Sequence, residues 1–141
     1  MGVLEDLYQE ALLLRYRSPK RRGTLPDATH TSGGKNPSCG DRVELFLKVN
    51  GDRIEAARFT GEGCAVSQAS ADLLAEAVEG KTIPEALELV RAFKAMVVEG
   101  KPPAPALGDL QILAGVAKLP SRVKCATLAW NALESALLGE R

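Results

Sequence analysis

Along the chain the spacing of apolar residues changes several times, and each change marks an element. From Val3 to Tyr16, Leu4, Leu7, Tyr8, Ala11 and Leu12 recur at helical spacing. Ser18-Pro19 ends that helix, because a residue ahead of proline is pushed out of helical backbone. Thr24 to Ser38 has no clear period and reads as a polar loop with room for a short strand. From Asp41 to Thr60 the period is two: Val43, Leu45, Leu47 and Val49 alternate with mostly polar residues. Asn50-Gly51 is a strong signal for a two-residue hairpin turn. A turn there opposes Leu47 to Ile54 and Leu45 to Ala56. It also leaves Phe59 on the wrong side, so a bulge near Ala57 is expected.

The second half is helical. Gly61-Glu62-Gly63-Cys64 makes a tight passage into a helix from Ala65 to Glu79, which Gly80 closes. Thr82-Ile83-Pro84-Glu85 is a capping box for the next helix, whose expected buried stripe is Ile83, Leu87, Val90, Phe93 and Val97. Glu99 to Leu107, with Pro102, Pro103 and Pro105, is a stiff connector, and Gly108-Asp109 opens a short helix through Ala117. Pro120-Ser121 announces the last helix, with Ser121 as its N-cap. Cys125, Leu128, Ala129, Ala132, Leu133 and Leu137 share one face of it. The pattern predicts an α+β fold: a small antiparallel sheet of about three strands with helices packed on one face. Residues 1–141 form one domain on this expectation.

Charge and composition narrow the chemistry. Eighteen basic and eighteen acidic residues give a net charge of +0, so nothing electrostatic points to nucleic acid or an anionic membrane as partner. No apolar run approaches the roughly 20 residues of a membrane span. Leu12 to Leu14 is too short for a signal peptide, and a cytoplasmic location is expected. Three widely spaced cysteines are not a disulfide framework. In a reducing compartment they are buried hydrophobes, metal ligands or reactive thiols. The single histidine, His30, has no partner at metal-ligand spacing and reads as a loop residue. Gly33-Gly34-Lys35 is not a phosphate-binding loop, because Thr29 and Asn36 stand where glycine and Ser/Thr are needed. The cluster Arg15, Arg17, Lys20, Arg21 and Arg22 has two readings, a solvated helix end or a docking patch for an acidic partner.

Asn36-Pro37-Ser38-Cys39-Gly40-Asp41 carries the chemistry. Cys39 and Asp41 lie two apart and can aim at one point, forming an anionic half-site that suits Zn²⁺. Cys64 stands at a helix mouth, where the dipole favours a thiolate, or is simply a small residue in a cramped turn. Cys125 falls on the apolar face, as a buried structural cysteine would. Against that, Arg122 and Lys124 are cations in the first helical turn, where each is disfavoured by roughly 0.3–1 kcal/mol. A nearby anionic cluster reverses that sign. Cys39, Asp41, Cys64 and Cys125 together make a tetrahedral Cys₃Asp set for zinc. Its closed shell argues against hydrolysis, and the deaminase signature is absent. Thiol chemistry remains.

These motifs also resemble a known family. The hexapeptide above, Gly61-Glu62-Gly63-Cys64-Ala65 with Ser67 and Ala69-Ser70, and Arg122-Val123-Lys124-Cys125-Ala126-Thr127-Leu128-Ala129-Trp130 look like the three cysteine motifs of IscU/NifU-type iron–sulfur assembly proteins. Tyr16-Arg17-Ser18-Pro19-Lys20 resembles that family's first helix end. The chain looks most like the SufU branch. Its segment between Cys64 and Cys125 is long and proline-rich, and Lys124 stands where the scaffold branch has histidine. The resemblance implies an IscU-like fold and a zinc-bound acceptor of persulfide sulfur. The donor it implies is a PLP-dependent, SufS-like cysteine desulfurase, and the recipient a downstream Fe–S scaffold or apo-protein. It implies Cys39, Asp41, Cys64 and Cys125 as zinc ligands, and places Arg122, with Lys124 beside it, at the partner interface or next to the ligands. One cysteine must leave the metal, and a partner histidine is thought to replace it. Cys39, in a Pro/Gly loop, is expected to be that acceptor, since Cys64 and Cys125 are anchored at helix starts. The alternative is a scaffold, not an enzyme, that assembles iron as a [2Fe–2S] cluster on the same ligands.

Overall fold

In the computed structural model, residues 3–37 and 40–139 are described, with side chains from residue 9 onward. The alternating stretch folds into two long strands, β2 (Asp41–Asn50) and β3 (Arg53–Glu62), and β1 (His30–Asn36) pairs with the outer side of β2. Both strand pairings are antiparallel. Val43, Leu45 and Leu47 of β2 and Ile54, Ala57 and Phe59 of β3 are buried on one face, while Arg42, Glu44 and Glu55 stand exposed on the other. Helices α1 (Val3–Arg17), α2 (Ala65–Val78), α3 (Ile83–Val97) and α4 (Pro120–Leu138) follow in chain order, with a 3₁₀ helix (Pro105–Lys118) between α3 and α4. The expected α+β arrangement, helices over one face of a three-stranded sheet, is the one observed. Phe93 of α3 stacks on Trp130 of α4 at 4.3 Å between ring centres, at the middle of the helical layer. No helix among the described residues is long and apolar enough to cross a membrane.

The hairpin register differs from the expectation. Asn50 pairs with Arg53, so the two-residue turn is Gly51-Asp52, and the register shift lies between Lys48 and Val49, opposite Glu55. Gly51 has φ +66°, and no non-glycine among the described residues has positive φ. That is the sign pattern of a type II′ turn, with glycine first. Burial decides where the extra residue goes. Ile54 and Ala57 are three apart, yet both must face inward, so a residue has to be looped out between them. The shift then places Phe59 opposite Leu45 and Gly61 opposite Val43.

Thr24–Ser38 contains more structure than its sequence suggests. His30 begins β1 rather than lying in a loop, and its Nδ1 meets Thr29 Oγ1 at 2.8 Å. A Cβ on Gly34 would come 2.9 Å from Leu128 Cδ1, so this glycine lets α4 lie directly on β1.

Other boundaries move by a residue or a turn. The buried stripe of α3 is Ala86, Leu89, Val90, Phe93, Met96 and Val97, with Ile83 and Leu87 only half-buried. The Thr82–Glu85 capping box is formed as expected. The helix expected from Gly108 begins at Pro105, is of 3₁₀ type, and is kinked at Gly108 (φ +52°). Leu119, not Ser121, is the N-cap of α4, because Pro120 takes the first helical position. In α1, Ala11 and Leu12 are half-buried, and the side chains of Leu4, Leu7 and Tyr8 lie outside the described residues.

The basic cluster is divided: Arg17 at the end of α1 and Lys20 are exposed, as a solvated helix end would be, while Arg15, Arg21 and Arg22 reach partners. Arg15 is buried and pairs with Asp72 (3.0 Å) and Glu76 (2.6 Å) on α2. Asp72, fully buried, also accepts the backbone N–H groups of Lys20 and Arg21. Arg21 pairs with Glu79, and Arg22 donates to the Gly61 carbonyl from above the Phe59 ring. These cations are satisfied by the acidic face of α2 and the edge of β3, so they fix the chain after α1 across the helix that starts at Cys64.

Candidate metal centre

Three elements deliver the reactive side chains to one end of the sheet. Asp41 is the first residue of β2 and pairs in register with Asn36, the last of β1. Its even spacing from Val43 turns its side chain inward, where it is 2 % exposed. Cys64 is the N-cap of α2, its backbone still extended (φ −71°, ψ 162°). Its N–H donates to Asp41 Oδ1 at 2.8 Å, and its Sγ lies 3.8 Å from Oδ2. Gly63 makes this approach possible: its φ is +140°, and a Cβ there would lie 2.3 Å from Asp41 Oδ1.

Cys125 comes from α4. With Pro120 first in the helix it sits in the second turn, not at the mouth, and it is completely buried. Its Sγ lies 3.7 Å from Asn36 Nδ2 and donates at 3.9 Å to the Ser121 carbonyl. One ligand atom each from Asp41, Cys64 and Cys125 all fall within 4.8 Å of one another. Arg122 and Lys124 are exposed, Arg122 in the first turn of α4 and Lys124 in the second. Cys39 lies outside the described residues.

A second set of contacts fixes the helices that carry the thiols. Ser67 Oγ donates to the Cys64 carbonyl at 3.0 Å, and Gln68 Nε2 donates to Ser67 Oγ. Ser70 Oγ donates across to the Ala126 carbonyl at 2.7 Å and accepts Trp130 Nε1 at 3.0 Å. Sequence reasoning assigned no part to Asn36 or Ser70, although both lie inside the quoted motifs. The available signal for Asn36 was that it and Asp41 bracket a four-residue loop between strands.

The donor set fits a zinc ion. Two thiols and a carboxylate are soft and hard ligands that zinc accepts together, and Zn–S of about 2.3 Å with Zn–O of about 2.0–2.2 Å puts a tetrahedral sulfur and oxygen about 3.5–3.7 Å apart. The Cys64 Sγ to Asp41 Oδ2 distance, 3.8 Å, is close to that value. Burial acts to raise the Asp41 pKa, but the Cys64 N–H and hydrogen bonds from Cys125, Cys64 and Ser67 outweigh it and hold the carboxyl below the ordinary range. The carboxylate is thus charged and oriented at neutral pH.

Fold and cluster define an α+β protein whose sheet end carries a carboxylate and thiols drawn from three separate elements. The chain belongs to the family described as the NifU-like N-terminal domain, whose model matches residues 7–126. It is 42% identical over 139 residues to the zinc-dependent sulfurtransferase SufU of Bacillus subtilis (strain 168), covering 97% of this chain and 93% of that protein. It is also 42% identical, over 138 residues, to the iron–sulfur cluster assembly scaffold protein IscU of Streptococcus pyogenes serotype M1, covering 97% and 86%. Among solved structures, it superposes on an iron–sulfur cluster assembly scaffold protein of the SUF system from Fervidobacterium islandicum AW-1 with TM-score 0.87 and 38% identity, covering 96% of this chain and 99% of that one.

Proposed function

We propose that this protein is a zinc-bound sulfur acceptor in iron–sulfur cluster biogenesis, taking persulfide sulfur from a cysteine desulfurase. The observation that carries this reading is the convergence of Asp41, Cys64 and Cys125 within 4.8 Å, with the carboxylate buried and charged. The likeness to a zinc-dependent sulfurtransferase over nearly the full length of both chains supports it. Cys39, Asp41, Cys64 and Cys125 would hold the ion, and bound zinc would keep the thiols deprotonated near neutral pH. Two residues ahead of Asp41, Cys39 is within about 7 Å of it by chain length alone.

The three described ligands are each tied into the framework: Asp41 by the Cys64 N–H, Cys64 by the start of α2, Cys125 by burial in α4. Cys39 is therefore assigned as the nucleophile. Its thiolate attacks the outer sulfur of the partner's persulfide; the new S–S bond forms at Cys39, the partner's S–S bond breaks, and the partner cysteine leaves as thiolate. The proton on the transferred sulfur travels with it, so electrons balance without an added oxidant or reductant. Arg122 and Lys124, exposed on the first two turns of α4, are the cations assigned to the partner surface.

A scaffold that builds an iron–sulfur cluster on the same residues is the second reading, favoured by the equal identity to a protein named as an IscU scaffold. Desulfurase turnover of L-cysteine separates the two. Strong stimulation by the zinc-loaded protein alone, with persulfide trapped on Cys39, is the expected result. No stimulation by zinc, with a transferable cluster on the iron-reconstituted form, would establish the scaffold. Persulfide found mainly on Cys125 would remove Cys39 from its role.

A further inference from the structure

We infer that Asn36 distinguishes the sulfurs of the site: its side-chain amide holds Cys125 as a fixed ligand, so that sulfur transfer falls on Cys39. The inference rests on the zinc-bound acceptor reading above and assigns it a positioning residue.

Asn36 is the last residue of β1 and only 7 % exposed, and Cys125 has no exposure at all. Its Nδ2 points at Cys125 Sγ from 3.7 Å. Burying an amide is costly unless it is hydrogen-bonded, and an apolar side chain of similar volume would fill the same space without that cost. The amide therefore does something packing alone does not require. An N–H group on a thiolate occupies lone-pair density that would otherwise serve for attack, while the sulfur keeps other lone pairs for a metal. Hydrogen bonds of this kind orient metal ligands and tune them. Cys64 is placed differently: it is half-buried, and its Sγ faces Asp41 Oδ2.

The fold ties this contact to the loop that contains Cys39. Asn36 and Asp41 are register partners at the base of that loop. One reaches α4 through Cys125 and the other reaches α2 through Cys64. Both sides of the loop base are thereby clamped to the helices that carry Cys64 and Cys125.

The test compares Asn36→Leu, which keeps the volume and loses the N–H groups, with Asn36→Ser, whose shorter hydroxyl does not reach Sγ. Apo-protein melts first establish that each variant folds. Three readouts follow: zinc affinity by chelator competition, the sulfur-to-cobalt charge-transfer band of the Co²⁺-substituted protein, and persulfide distribution by mass spectrometry after desulfurase reaction. The expected outcome is about 10–100-fold weaker zinc binding, a charge-transfer band moved to longer wavelength, and a several-fold larger share of persulfide on Cys125. Weaker zinc binding with an unchanged band and unchanged distribution would make Asn36 a packing residue and overturn the inference. So would three unchanged readouts. Wild-type protein that binds no zinc or accepts no sulfur would instead sink the acceptor reading itself.

Discussion

Trp130 on α4 donates its indole N–H to Ser70 on α2 at 3.0 Å, and the same hydroxyl donates to the carbonyl of Ala126, the residue after Cys125. One side chain thus pins the helix that begins at Cys64 to the turn that carries Cys125. Ser70→Ala leaves a buried indole N–H and a carbonyl without this partner. A loss of about 1–3 kcal/mol in urea unfolding of the apo-protein is expected. Zinc affinity should fall in the same variant, because the distance between the two thiols is no longer held.

Gly63→Ala should abolish metal binding, while Gly40→Ala should not. Both glycines have positive φ, so both substitutions strain the backbone by an amount on the order of 1–3 kcal/mol. Only at Gly63 would the new methyl group strike the Asp41 carboxylate; at Gly40 it would meet nothing within 4 Å among the described residues. Zinc stoichiometry of the two purified variants checks the difference.

Stability should fall on the acid side through the α2 carboxylates. Glu76 is held below its ordinary value of 4.5 by the Arg15 hydrogen bond, which outweighs burial. For Glu79 burial acts to raise the pKa, but the Ala57 N–H with Arg21 and Arg58 overrides it and lowers it. A folded-state pKa below the unfolded one contributes stability that is fully present above about pH 4.5 and is lost as pH falls through the lowered value. Urea midpoints should hold from neutral pH to about 5 and then decline. Glu79→Gln should be less stable than wild type at pH 7, and the gap should narrow as the pH falls below 4.5.

Removing the metal should weaken the protein without dissolving its helices. The stacked Phe93 and Trp130 pair belongs to the hydrophobic core shared by the helices and the inner sheet face. Chelation is expected to lower the thermal midpoint and leave most helical circular dichroism. Zinc in 100-fold excess over its dissociation constant should restore about 2.7 kcal/mol. A midpoint indifferent to chelator and zinc would show that no resident ion contributes.

Elements were legible where one local rule acts alone. The two-residue period from Val43 to Val49, the Thr82–Glu85 box and the glycines around Cys64 each produced what their residues imply. The hairpin register was not, because Asn50-Gly51 satisfies the local turn rule while burial of Ala57 and Phe59 demands another pairing. Burial is a property of the whole sheet and overrode the dipeptide. Arg15 misled for the same reason: its partners Asp72 and Glu76 are more than fifty residues away. Asp41, Cys64 and Cys125 could be grouped by their chemistry. The Asn36 contact to Cys125 spans 89 positions and follows only from laying α4 on β1 at Gly34.

The looped-out Glu55 gives the path from turn to thiol a parity. Deleting this one residue would leave Ile54 and Ala57 two apart, so Ala57, Phe59 and Gly61 would keep facing inward on a regular strand and Cys64 would still reach Asp41. Adding one residue between Ala57 and Gly63 has no such outlet: Gly61 would turn outward, and Gly63 would carry Cys64 to the exposed side of the sheet, away from Asp41. Natural one-residue losses in β3 should therefore remove the bulge, and one-residue gains should come with a second one. The count of residues in this strand is thus part of the specification of the proposed metal centre.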